Sequence, residues 1–67
     1  SADADPAMRV VGANALYGRG LTHHDKGDLT AAIADYTLAV ERYSADADPA
    51  IREWVAKARE ELAELAD

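Results

Sequence analysis

Apolar residues recur every three or four positions through most of this 67-residue chain, the period of a helix that presents one face to a core. The pattern is clearest in the middle. Leu29, Ala32, Ile33, Tyr36, Ala39, Val40 and Tyr43 form one stripe, with Thr30, Asp35, Thr37 and Glu41 opposite it. Later, Ile51, Trp54, Val55, Ala58, Leu62 and Leu65 run along one side, and Glu53, Lys57, Glu60, Glu61 and Glu64 along the other. Glu53 and Lys57 stand four apart in the favourable order, a pair that contributes about 0.2–0.5 kcal/mol to a helix. Nearer the start, Met8, Val10, Val11, Ala13, Ala15, Leu16, Tyr17 and Leu21 wrap much of a helical circumference, as expected of a helix touching neighbours on two sides. Gly12, Gly18 and Gly20 interrupt this segment. Each costs about 1 kcal/mol in a helix interior relative to alanine, so either packing requires them or the helix is locally weak.

Helix boundaries follow from local chemistry. Asp5-Pro6 and Asp48-Pro49 each put a capping carboxylate before a proline, which is tolerated at the first helical position because that N–H has no intrahelical partner. Gly27-Asp28 joins a glycine suited to a left-handed turn with an aspartate suited to capping the next helix. The spacing therefore predicts helices over 6–26, 29–43 and 49–66, in an all-α chain of one domain spanning 1–67, with a helix–turn–helix corner at Gly27.

The chain also repeats itself. S-A-D-A-D-P-A-M-R at the start returns 43 residues later as S-A-D-A-D-P-A-I-R, differing only in Met8 against Ile51. Internal repetition of this length is the mark of a stacked-repeat architecture. The two copies then diverge: at the same offset Leu16 is answered by Arg59, Tyr17 by Glu60, Gly18 by Glu61 and Gly20 by Ala63. The third helix thus has the polar face of a terminal cap, the unit a repeat array uses for solubility.

Ala13 to Arg42, A-N-A-L-Y-G-R-G-L-T-H-H-D-K-G-D-L-T-A-A-I-A-D-Y-T-L-A-V-E-R, resembles a tetratricopeptide repeat. Leu16 stands at the family's first large position and Gly20 at its small position in helix A. Ala32, Tyr36 and Ala39 stand at the small, aromatic and last small positions of helix B. Arg19 replaces the usual leucine, His23 the usual tyrosine and Ser44 the usual proline. The repeat is 43 residues long where the family's is about 34, so the resemblance is to a longer-period variant, present as one and a half repeats. It implies an antiparallel helical solenoid acting as a non-catalytic protein-interaction scaffold. It also implies a concave, peptide-binding face made by Asn14, Tyr17, Gly18, Leu21, His24 and Asp25. Co-chaperone members hold a C-terminal carboxylate with Lys and Asn on that face; Tyr17 and Leu21 stand in those places here, so that activity does not carry over.

Composition narrows the partners. A formal charge of −6 opposes nucleic acid and anionic membranes, which require a basic surface, and no stretch has the 18 to 20 apolar residues of a membrane span. The expected partner is a protein or peptide, neutral or basic, and the expected location cytoplasmic. Abundant alanine, and more arginine than lysine, is the bias of a GC-rich bacterial genome. No cysteine is present, so packing or association must supply the stability that a domain this small lacks. The chain begins at a repeat boundary without methionine, as expected of a piece of a longer array, natural or engineered. A homo-oligomer formed through the exposed face of the first helix is the alternative expectation.

Catalytic and metal chemistry find little support. His23, His24, Asp25 and Asp28 lack the three or four converging ligands a metal needs. Asp3, Asp5, Asp46 and Asp48 do not fit a calcium loop with its central glycine and terminal glutamate. They are read as loop and cap residues, and Trp54 as core. The glutamates of the third helix lie on a solvated face, where nothing shifts a carboxyl toward acid–base work. No enzyme activity and no cofactor is expected.

Overall fold

The computed structural model describes residues 5–66; the opening Ser1–Ala4 of the first repeat copy, with Asp3, lies outside them, as does Asp67. Three helices make up the described chain: α1 (Pro6–Asp25), α2 (Leu29–Tyr43) and α3 (Pro49–Leu65). The fold is all-α. Each start is capped as the sequence predicts. The Asp5 carboxylate accepts the Ala7 N–H at 2.9 Å, Asp28 accepts that of Ala31 at 3.1 Å, and Asp48 accepts those of Ala50 and Ile51 at 2.9 and 3.4 Å. These bonds satisfy N–H groups that the helices cannot satisfy internally. α1 and α3 each end one residue before the predicted boundary, within the ordinary fraying of a last turn.

The corner between α1 and α2 is a Schellman turn. Gly27 takes φ +82°, its N–H donates to the His24 carbonyl, and the Asp28 N–H donates to that of His23, each at 2.9 Å. A side chain at Gly27 would be strained by that backbone.

α1 and α2 fold back on one another, and α3 packs against both. Leu16, Ala32, Tyr36, Ala39 and Ala58 form the central cluster, with Leu21, Tyr43, Leu62 and Leu65 packed around it. Tyr36 and Ile51 are the largest fully enclosed side chains among the described residues. The tyrosine ring lies on Gly20, where a Cβ would meet the Tyr36 Cε1 at 2.5 Å and Cδ1 at 2.8 Å. Small residues in the hairpin thus make room for an aromatic ring between the helices, and Gly12 likewise faces the end of the Tyr43 side chain. Gly18 differs, because a Cβ there would meet nothing within 4 Å. Gly20→Ala is expected to destabilise by about 1–3 kcal/mol through overpacking. Gly18→Ala is expected to stabilise by up to about 1 kcal/mol through helix propensity. Urea titrations of both variants check this, and shifts of the same sign would contradict the packing described.

Three expectations about faces need correction. Asp35, assigned from the sequence to the polar side of α2, is 6% exposed, because Arg19 reaches across from α1 to meet it. Leu29 and Ile33, assigned to the core, are exposed: with only two helices to pack on, α2 covers less than the full width of its apolar stripe. Glu61 is half-buried, because it lies against the end of α1 near His24.

Candidate functional site

Asn14, Tyr17, Gly18, Leu21, His24 and Asp25 all belong to α1, recurring at steps of three to four residues with two adjacent pairs, so the helix itself aligns them on one flank. α3 closes over part of that flank. The Tyr17 ring packs against those of Trp54 and Tyr36, with centroids 5.5 and 5.7 Å away and planes tilted by 47° and 46°, separations within the range of interacting aromatic pairs. Leu21 packs on the central cluster. His24 Nδ1 lies 3.9 Å from a Glu61 carboxylate oxygen. Asn14 and Asp25 are exposed and Gly18 half-buried. The flank is therefore divided: Tyr17, Leu21 and His24 face neighbouring elements, and Asn14, Gly18 and Asp25 form the outer edge. Trp54, expected as core, is half-buried and stacks on Tyr17.

Two charge clusters escape a reading of the sequence. In the first, Arg19 donates two parallel hydrogen bonds to the Asp35 carboxylate, both at 2.8 Å, the fork geometry that suits guanidinium to carboxylate. His23 Nε2 stands 3.6 Å from the same carboxylate. Arg19 and His23 are the two positions of α1 where the sequence departs from the tetratricopeptide pattern, and both lie against one aspartate. A charged residue at an apolar position of α1 was the available signal that α2 carries an enclosed countercharge.

In the second cluster, Arg9 in the first turn of α1 donates to Asp46 at 2.7 Å through Nε, across 37 residues. Asp46 also accepts the Asp48 N–H at 3.0 Å. The acidic residues of the repeated segment thus have structural work: Asp5 and Asp48 cap helices, and Asp46 ties the α2–α3 connection to α1. Among the described residues no group of three or more His, Cys, Asp or Glu converges as metal ligands would, and no helix is long and apolar enough to cross a membrane.

Both acidic partners titrate low. The Arg19 hydrogen bonds hold the Asp35 carboxyl below its ordinary value of 3.8, and the Arg9 bond, then the Asp48 N–H, do the same for Asp46. A depressed carboxyl stabilises the fold above its unfolded pKa, and that contribution disappears as pH falls through the folded value. The melting midpoint is therefore expected to hold from neutrality to about pH 5 and to fall below about pH 4. Asp35→Asn should lower the midpoint at neutral pH and flatten the acid limb. Circular dichroism melts from pH 2 to 7 check both, and an unchanged acid limb would dismiss the assignment to Asp35.

Comparison with protein-family models, with curated proteins and with solved structures finds no match to this chain.

Proposed function

We propose that the chain is a non-catalytic scaffold for protein–protein contact, built as a tetratricopeptide-like helical repeat, and that it receives a protein segment along the edge of α1. The observation that carries the reading is the flank of α1, where exposed Asn14 and Asp25 stand beside half-buried Leu21 and His24. A segment laid there meets a hydrogen-bonding amide at one end, a carboxylate at the other and, between them, the part of Leu21 that the core leaves uncovered. The net charge of −6 favours a neutral or basic segment. Leu16, Ala32, Tyr36 and Ala39, positions that carry the family resemblance, gather in the central cluster, which supports the repeat reading. A cytoplasmic location in a bacterium accompanies the proposal and rests on composition.

Peptides selected against the chain from a displayed random library provide the test. Asn14→Ala and Asp25→Lys, both at exposed positions, are expected to weaken the selected ligands about tenfold, or ~1.4 kcal/mol, while Thr30→Ala on α2 leaves affinity unchanged. Selected ligands indifferent to both α1 substitutions would remove this face from consideration.

A further inference from the structure

Met8 and Val11 are 52% and 58% exposed, and Ala15, one helical turn further, is exposed as well. These residues place an uncharged apolar strip on the outside of α1 in a protein of net charge −6. The 43-residue repeat shows what such a strip does. Its offset relates Met8, Val11 and Ala15 to Ile51, Trp54 and Ala58 of α3. There Ile51 and Ala58 are fully enclosed, and Trp54 stacks on Tyr17. The strip exposed on α1 is thus covered on α3, and what covers it is the α1–α2 hairpin, since α3 packs against both helices. The correspondence ends at the next turn, where Arg19 stands opposite Leu62 and is already engaged by Asp35.

We propose that Met8, Val11 and Ala15 form a docking face for another helical hairpin of the α1–α2 type, joined ahead of this chain, which would seat α1 as α1–α2 seats α3. The ion pair that accompanies the observed interface points the same way. Arg9 of the hairpin holds Asp46 of the segment leading into α3, and that segment is the one the chain repeats. The same segment therefore contains an aspartate that answers the hairpin before it and an arginine that answers the segment after it. Arg52, the second copy's arginine, is exposed and makes no ion pair among the described residues. The inference rests on the repeat reading but not on peptide binding along Asn14 and Asp25, so either can fail alone.

The test joins residues 1–43 ahead of the complete 67-residue chain and follows melting of both proteins by circular dichroism. The expected result is one cooperative transition with a midpoint raised by at least about 4 °C. Val11→Gln in the docking face is expected to abolish that rise in the longer protein, with a much smaller shift in the 67-residue chain, where Val11 is already exposed; Met8→Gln should behave alike. Two separate transitions in the longer protein, or equal shifts by Val11→Gln in both proteins, would overturn the proposal. So would a 67-residue chain whose mass rises with concentration and becomes monomeric on Val11→Gln, because the face would then belong to a second copy.

Discussion

Replacing Tyr36 with alanine is expected to abolish cooperative folding. The ring is fully enclosed, rests on Gly20 and packs against Tyr17, so its loss removes the largest piece of the core and leaves a cavity between the helices. Such aromatic truncations cost about 3–5 kcal/mol. Domains are stabilised by only about 0.05–0.15 kcal/mol per residue, so a chain this small has little reserve. The variant should show a broad, non-cooperative melt, and a sharp transition within a few degrees of the parent's would refute this role.

Tyr36→Phe should act in the opposite direction. The Tyr36 hydroxyl is enclosed without a hydrogen-bond partner among the described residues, and an enclosed, unpaired polar group costs about 1–3 kcal/mol. Burial first, and then the Glu61 charge, push the phenol up to about 12. A raised phenol pKa means that stability is complete below the unfolded value near 10 and is lost as pH rises through the folded one. Alkaline unfolding between about pH 10 and 12 should therefore be weaker in Tyr36→Phe than in the parent. Denaturant titrations at pH 7 and pH 11 measure both effects.

The second large effect compares two residues that the repeat makes equivalent. Ile51→Ala is expected to destabilise by about 2–5 kcal/mol, because Ile51 is fully enclosed. Met8→Ala should change stability by no more than about 0.5 kcal/mol, the usual range for an exposed position. The nine-residue segments agree at every other position, and both variants place alanine at this one, so the contrast reports chiefly what surrounds each copy. Equal effects would mean that α3 is not seated as described.

Features set by neighbouring residues were legible in the sequence. Asp5, Asp28 and Asp48 announce helix starts through bonds reaching only two or three residues, and Gly27 announces a corner through one backbone angle. The burial of Leu16, Ala32, Tyr36 and Ala39 follows from spacing along two helices. Legibility ended where burial depends on which elements surround a helix. Leu29 and Ile33 have the period of core residues, yet their exposure is decided by the two helices available to cover α2. Asp35 has the character of a surface residue, and its burial is decided by Arg19, 16 residues away. At the candidate site, helical spacing sufficed to align six residues on one flank of α1. That α3 would divide the flank, packing Trp54 against a half-buried Tyr17 and leaving Asn14 and Asp25 exposed, depends on a tertiary contact with no local signature.

The bond between Arg9 and Asp46 has a consequence for motion. It fastens the chain at the root of α3, where Asp46 also holds the Asp48 N–H and Asp48 in turn holds those of Ala50 and Ile51. Toward the far tip α3 is held by the packing of Leu62 and Leu65 on the central cluster, with no hydrogen bond to α1 there among the described residues and His24 3.9 Å from Glu61. α3 is thus a lever pinned at its fulcrum, and it should lift from the tip. Amide exchange is expected to slow progressively from Leu65 back toward Val55, with the pinned first turn opening only when the whole chain unfolds.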